Sequence, residues 1–393
     1  MMAERLTRRE LLGVAIAVGI APRWVAAQDG TPAAGAGATP GATGDGGLVA
    51  PPVGIETVPP AVEQTKGPNG EAATSYEEIW LSADELTQIK EGGYSAALVM
   101  HTSSAFTAAL VQGATDAFTA MGIEVVAETD AGFDAAKQQN DVETVMARRP
   151  DIILTLPVDP VQAAQAFRPA LEAGTKLVLL SNVPDGYQQG EDYVGIVTDD
   201  LFGMGQAAAE MLGDATGGKG AVGYIFHDAD FYVTNQRDAA FRTVIQKRYP
   251  ELRIVAEQGM ADPGDAEGIA AAMLTQNSEI TAFYVPWAEP AEGVLAAIRA
   301  AGRDDVSVVT LDLDTTVALD MAQGGATVGI AADTPYQLGY TMAIEGAYGV
   351  LGKPAPPFVI VPTIKATREN VVKAWQASLH EEAPAEILEA TQG

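Results

Sequence analysis

The stretch LVMHTSSAFTAALVQG, residues 98–113, changes from the pattern of a strand to the pattern of a helix. An apolar run over 98–100 stops at the polar turn His101-Thr102-Ser103-Ser104. Beyond the turn, apolar side chains recur at helical spacing at Phe106, Leu110, Ala114 and Phe118. The stretch therefore predicts a buried strand, a polar turn and a helix.

The same alternation of strand and helix patterns continues along the chain. Mostly aliphatic and β-branched runs without polar alternation are typical of strands buried on both faces of a parallel sheet. Helical patterns separate these runs, so the sequence predicts an α/β protein in which helices cover parallel sheets. The candidate strands are residues 94–100, 123–127, 151–156, 176–180, 193–197, 221–226, 252–257, 280–285, 306–311, 327–331 and 358–361.

An internal similarity indicates that one architecture is used twice. Residues 126–157 and 255–286 both begin with Val-Ala-Glu and end with Pro at the same offset, with matching strand and helix positions. Any two strand–helix–strand units with similar loop lengths would look alike, so this alternative stays open beside duplication.

Composition limits the function. A chain of 393 residues with 47% hydrophobic content predicts two packed domains. A formal net charge of −29 repels phosphate backbones and anionic lipids, which argues against nucleic-acid and peripheral membrane binding. The absence of cysteine excludes disulfides, thiolate chemistry and cysteine-ligated zinc.

The N-terminal region has the features of an export signal. Arg8-Arg9 precede a short apolar run, and small residues follow at 25–27, so residues 1–27 resemble a twin-arginine signal. The signal is either cleaved after Ala27 or retained as an anchor, which predicts a protein that is periplasmic or tethered to the outer face of the cytoplasmic membrane. Residues 28–75, rich in Ala, Gly and Pro, predict a flexible tether. Residues 76–91 predict a helix and residues 373–393 a C-terminal tail.

Polar residues follow the predicted strands in both halves. Because ligands of parallel sheets bind beyond the carboxyl ends of the strands, these residues predict a cleft between two facing sets of loops. Hydroxyl, carboxylate, amide and aromatic groups together suit a small neutral sugar or polyol. The candidates at strand ends are His101, Ser103, Ser104, Asp159, Asn182, His227, Asp230, Trp287, Asp312 and Asp333.

From about residue 92 to 372 the chain resembles the periplasmic sugar-binding proteins of ABC importers, of the ribose-binding type. The resemblance is carried by HTSSAF, VGIVTDDLFGMGQAAAEML, NQRDAAF at 235–241, VVTLD at 308–312 and GIAADTPYQLGYTMAIEGAYGVLGK. It implies two Rossmann-like lobes, 92–198 with 333–358 and 199–332 with 359–372, joined by a three-segment hinge. It further implies a monomer that delivers its ligand to an ABC permease of the inner membrane. The ligand contacts that it implies are Ser104, Phe106, Asp199, Arg237 and Asp312.

The chain departs from this family after the strand 176–180. Many members have Asp-Arg there, whereas this sequence has Ser181-Asn182. Asn can bond a hydroxyl but cannot supply the fork of donors of Arg. The departure favours a linear polyol or a modified sugar over an ordinary aldopyranose.

Other interpretations of the same residues stay open. His101 and His227 could cap helices or bridge buried backbone, Trp287 could be a core residue, and Arg237 could form a surface ion pair. Paired carboxylates such as Asp312 and Asp314 would fit a glycosidase or a metal site, but the sequence contains no G-x-S-x-G, H-E-x-x-H or P-loop motif. The sequence thus predicts no enzyme, cofactor or metal, and a receptor module for a chemoreceptor or sensor kinase remains the alternative function.

Overall fold

A computed structural model describes residues 41–42, 46–229 and 231–392. The predicted export signal, the first part of the predicted tether and the candidate Asp230 lie outside the described residues. Among the residues described, no helix is both long and apolar enough to cross a membrane. A small antiparallel sheet of β1 Gly41–Ala42, β2 Leu48–Val49 and β4 Trp80–Leu81 precedes two large sheets.

The first lobe is built on a seven-stranded parallel sheet in the order β3-β15-β9-β8-β7-β5-β6. The five strands between the edge strands β3 and β6 are mostly aliphatic and buried, which explains the long apolar runs in the sequence. Its strands are β3 Thr74–Ser75, β5 Ser95–Met100, β6 Glu124–Asp130, β7 Ile152–Thr155, β8 Lys176–Leu180, β9 Ile196–Asp199 and β15 Phe358–Val361.

Helices cover both faces of this sheet. They are α1 Ala83–Gly92, α2 Ala105–Met121, α3 Ala135–Met146, α4 Pro160–Ala166, α5 Arg168–Ala173 and α11 Pro335–Leu351. Helices α2 and α11 cross so closely that a Cβ atom added at Gly113 would lie 2.0 Å from the carbonyl oxygen of Tyr336, and one at Gly339 would lie 1.8 Å from that of Leu110. Glycine at both positions is therefore a packing requirement.

The second lobe has a six-stranded sheet in the order β11-β10-β12-β13-β14-β16, parallel except for the last strand. Its strands are β10 Lys219–His227, β11 Glu251–Met260, β12 Ile280–Tyr284, β13 Ser307–Leu311, β14 Thr327–Ala332 and β16 Ile364–Ala366. Its helices are α6 Leu201–Thr216, α7 Tyr232–Arg248, α8 Ala266–Gln276, α9 Ala288–Ala300, α10 Thr315–Ala322, α12 Val371–Leu379 and α13 Ala385–Ala390.

The two lobes repeat one architecture, as the internal similarity predicts. Residues 126–157 contain strand, helix and strand in lobe 1, and residues 255–286 contain the same elements in lobe 2. Strand β8 of lobe 1 and strand β13 of lobe 2 are each followed by a non-glycine residue with left-handed backbone, Ser181 at φ 57° and Asp312 at φ 64°. A shared backbone conformation that L-residues rarely adopt strengthens the case for duplication.

Three segments connect the lobes. The chain crosses between Asp199 and α6, between β14 and α11, and between β15 and β16. The predicted lobe boundary at 358 was wrong by about three residues, because β15 pairs in register with β9 over its whole length, from Phe358 with Ile196 to Val361 with Asp199. The three crossings are also bonded to one another: the Asp200 N–H donates to Val361 O at 3.0 Å, and the Thr334 hydroxyl donates to Pro362 O at 2.9 Å.

The prediction of a flexible tether is wrong for residues 46–75, which we call the strap. Leu48 and Ala50 are buried in the core of lobe 1, and Val53 is buried in the core of lobe 2. The Val58 backbone forms a bridge to Thr363 in the third crossing. The few apolar residues of the strap cannot form a core of their own, but they are buried against the cores of the two lobes.

The predictions for the segments that precede and follow the two lobes, residues 76–91 and 373–393, are also wrong. The predicted helix 76–91 is a short 3-10 turn at Tyr76–Glu78, strand β4 and then α1. The predicted tail 373–393 contains most of α12 and all of α13, and Trp375, Leu379 and Ile387 of these helices are buried in the core of lobe 2.

Candidate functional site

Four charged residues predicted to bind ligand form one cluster at the junction of the lobes. Asp199 and Asp333 lie at two of the crossings, Asp312 follows β13, and Arg237 lies on α7. Each carboxylate interacts electrostatically with Arg237. We call these residues the carboxylate–arginine cluster.

Arg237 is the buried cation of this cluster. Its side chain is 7% exposed, and its Nη1 lies 2.7 Å from Oδ1 of Asp312, whose side chain is 33% exposed. Arg237 and Asp199 are both buried, so the alternative interpretation of Arg237 as a surface ion pair is wrong. Arg237 Nε and Asp199 Oδ1 are buried without a hydrogen-bond partner, so each can still bond a ligand.

Burial and mutual repulsion oppose the charged forms of two carboxyls in the cluster. Desolvation raises the pKa of Asp199 to about 7, with Arg237 acting against it and Asp312 adding to it. Desolvation likewise raises the pKa of Asp333, and the charges of Asp312 and Asp199 raise it further. Arg237 is already paired with Asp312, and burial favours the neutral forms of Asp199 and Asp333, so the cluster has polar groups for hydroxyls but no free positive charge for an anion.

His227 and Trp287 contact each other in lobe 2. Their rings are 5.2 Å apart in a T-shaped contact, and His227 Nδ1 lies 2.8 Å from the Thr234 hydroxyl. The backbone N–H of His227 donates to Oδ2 of Asp238 at 3.0 Å.

Asp238 was not among the predicted site residues, although it lies in the run NQRDAAF at 235–241. Its Oδ1 accepts from the Tyr284 hydroxyl at 2.7 Å, and its backbone oxygen accepts from the Tyr224 hydroxyl at 2.9 Å. Desolvation raises the pKa of Asp238 to about 6. This buried carboxyl fixes the start of α7, and hence Arg237, against the sheet.

His101 is buried at the end of β5 in lobe 1. Its ring contacts Phe133 edge-on at 5.1 Å, and its Nδ1 has no hydrogen-bond partner. Desolvation lowers the pKa of His101 to about 4, so the neutral ring with one free acceptor or donor is the form present at neutral pH. Phe133 is 62% exposed and has a left-handed backbone, and the sequence analysis did not single it out.

Two predicted contacts of lobe 1 are used as helix caps. Ser104 Oγ accepts from the Thr107 N–H at the start of α2, and Asp159 Oδ1 accepts from the Gln162 N–H at the start of α4. Ser103 is exposed, whereas Phe106 is partly buried against the core of lobe 1. A ligand contact by these four residues stays a prediction.

A cavity of about 840 Å³ opens between the lobes, and its lining includes the predicted ligand contact Asn182 but none of the four cluster residues. Lobe 1 contributes Asn182, which is buried and donates to Pro157 O at 3.2 Å. Lobe 2 contributes Asn235 and Gln236, which directly precede Arg237 on α7. The cavity is also lined by strap residues, which the sequence analysis treated as a tether: Pro68, Asn69 and Glu71.

Comparison with known proteins places this architecture in a family. The chain is 26% identical over 246 residues to the ribose import binding protein RbsB of Bacillus subtilis (strain 168), covering 61% of this chain and 76% of that protein. Its fold is similar to that of an ABC transporter solute-binding protein from Agrobacterium vitis bound to α-D-tagatopyranose, with a TM-score of 0.63, 22% identity and coverage of 74% and 99% of the two chains. It is also similar to a Bacillus halodurans solute-binding protein with bound myo-inositol, with a TM-score of 0.61, 19% identity and coverage of 72% and 98%. The family described as periplasmic binding protein domain matches residues 96–351, and the chain belongs to that family.

Proposed function

We propose that this protein binds a small neutral sugar or polyol between its lobes and delivers it to an ABC importer. The observation that carries the proposal is the pair of buried, unpartnered polar atoms, Asp199 Oδ1 and Arg237 Nε, in one cluster of three carboxyls and one guanidinium. A hydroxyl can donate to the first and accept from the second, whereas a phosphate or carboxylate would find the guanidinium already paired with Asp312. The likeness to sugar- and polyol-binding proteins supports the same ligand class.

Calorimetric and thermal-shift binding measurements test this proposal. The panel is D-ribose, D-tagatose, myo-inositol and the linear polyol allitol, with D-ribose 5-phosphate as the anionic control. We expect one neutral member to bind, and at a hundredfold excess over its dissociation constant to add about 2.7 kcal/mol of apparent stability. Binding of the phosphate in preference to every neutral compound would contradict the proposal.

We also propose that the protein lies outside the cytoplasmic membrane and acts as a monomer, in which one chain forms both sides of the cleft. Residues 1–27 carry the twin-arginine pattern on which this rests. Replacing Arg8 and Arg9 by Lys should keep the full chain in the cytoplasmic fraction of the cells that express it. Unchanged export of the double variant would contradict the twin-arginine route, and cytoplasmic retention of the unaltered chain would contradict the location.

A further inference from the structure

The strap precedes residues 96–351, the part of the chain that the family matches, yet it contacts both lobes beside the hinge. The Ala61 N–H donates to Oδ2 of Asp200 at 2.6 Å, and the Thr65 hydroxyl donates to Oδ1 of Asp200 at 2.5 Å. Asp200 is fully buried and follows Asp199 of the carboxylate–arginine cluster directly in the chain. The strap is therefore fixed to the same crossing that carries a predicted ligand contact.

Beyond this anchor the strap makes a tight turn over residues 66–72. Lys66 and Ala72 form an antiparallel bridge, and the Gly67 N–H donates to Glu71 O at 3.0 Å. The Lys66 carbonyl also accepts a hydrogen bond from the hydroxyl of Tyr232, the first residue of α7 in lobe 2. The turn is thus closed by its own backbone and fastened to the second lobe.

The Glu71 carboxylate is held in a defined position within this turn. Its Oε2 accepts from the Asn69 N–H at 2.8 Å, and its Oε1 lies 3.1 Å from the Asn69 side-chain nitrogen. Both residues line the cavity between the lobes. Burial raises the pKa of Tyr193 in lobe 1 to about 12 and also raises the pKa of Tyr232 in lobe 2. The negative charge of Glu71 raises both pKa values further, so this carboxylate lies close to both lobes.

We infer that residues 66–72 form a third wall of the ligand cleft, in which Asn69 and Glu71 contact the ligand and determine its specificity. This inference rests on the proposed function. A carboxylate and an amide side by side can bond neighbouring hydroxyl groups, and the added negative charge strengthens the selection against anionic sugars. The wall also covers one side of a cleft that two lobes alone would leave open to water.

The binding arm of the test compares three variants against the same five-compound panel. Glu71→Gln keeps the size of the side chain but replaces one acceptor with a donor, and Asn69→Ala removes the amide. For the best-binding panel member we expect each variant to weaken binding about tenfold or more. The control is Glu63→Gln, an exposed carboxylate of the same strap that does not line the cavity, and it should bind as the unaltered protein does.

Trypsin cleavage after Lys66 provides an arm that needs no ligand. If the turn is seated as a wall, cleavage at Lys66 should be much slower than in the unfolded chain, and Tyr232→Phe should accelerate it because the hydroxyl that holds the Lys66 carbonyl is lost. Rapid cleavage at Lys66 of the folded protein would overturn the wall.

The outcomes separate the two claims. Undiminished binding by both Glu71→Gln and Asn69→Ala would overturn the specificity role while leaving the proposed function intact. Failure of every panel member to bind the unaltered protein would contradict the proposed function, and would overturn the specificity role with it.

Discussion

Replacing Arg237 by Met is expected to lower the free energy of unfolding of the ligand-free protein by about 3–5 kcal/mol at pH 7.5. The guanidinium is buried, bonds Asp312 at 2.7 Å and opposes the upward pKa shifts of Asp199 and Asp333. Without the guanidinium of Arg237, the carboxyls of Asp199, Asp312 and Asp333 share a site in which residue 237 supplies no positive charge. Ligand affinity should also fall, by about a hundredfold, because the carboxylates would lose the donor beside them.

Denaturant unfolding at several pH values measures this effect. The loss should shrink towards pH 5, because the raised pKa values of Asp199 and Asp333 make these two carboxyls neutral there, so that they no longer need a cation. The matched control is Arg248→Met on the same helix, whose ion pair with Glu210 has a guanidinium side chain that is 53% exposed and should be worth at most about 1 kcal/mol. Equal, pH-independent losses for the two variants would show that the cluster does not depend on Arg237.

Ligands of a parallel sheet bind beyond the carboxyl ends of its strands, and this rule accounts for the part of the candidate site that could be predicted from the sequence. His101, Asp312 and Trp287 each follow a strand of a parallel sheet, so chain order alone places them at the carboxyl edge of a sheet. The rule does not say whether a polar side chain faces the cleft or caps the next helix, since a short oxygen-bearing side chain does both well. Ser104 and Asp159 show that ambiguity.

The remainder of the site depends on contacts between distant parts of the chain. Asp238 acquires its role from Tyr224 and Tyr284, which lie on two other elements. Glu71 lies in a segment whose composition predicts a tether, and only the surface of the folded lobes gives that segment a fixed path. Sequence patterns report local preference, whereas these positions are decided by tertiary burial.

Replacing Asp199 by Asn is expected to stabilise the ligand-free protein at high pH and to weaken ligand binding. A carboxyl with pKa about 7 in the folded state and 3.8 as its ordinary value binds more protons folded than unfolded between these values. Its contribution to the free energy of unfolding therefore falls as pH rises through that window. The two pKa values correspond to at most about 4 kcal/mol, which is an upper bound because the site can relax.

Unfolding of Asp199→Asn and of the unaltered protein, compared from pH 4 to pH 8, isolates this group from the histidines and other acids that also titrate. The two proteins should differ least near pH 4, where Asp199 is protonated in the folded protein, and the variant should be more stable by about 2–4 kcal/mol at pH 8. Asp314→Asn is the matched control: Asp314 caps α10 by accepting from the Thr316 N–H at 2.8 Å, and because Asn caps equally well the substitution should change the free energy of unfolding by at most about 0.5 kcal/mol. A stability difference for Asp199→Asn that does not change with pH would mean that the folded protein carries Asp199 as an ordinary carboxylate. A stabilised variant that binds the panel ligand more weakly would instead show that the unpartnered Asp199 oxygen is retained for the ligand at a cost to stability, because the ligand's hydroxyl supplies the donor that the folded chain does not.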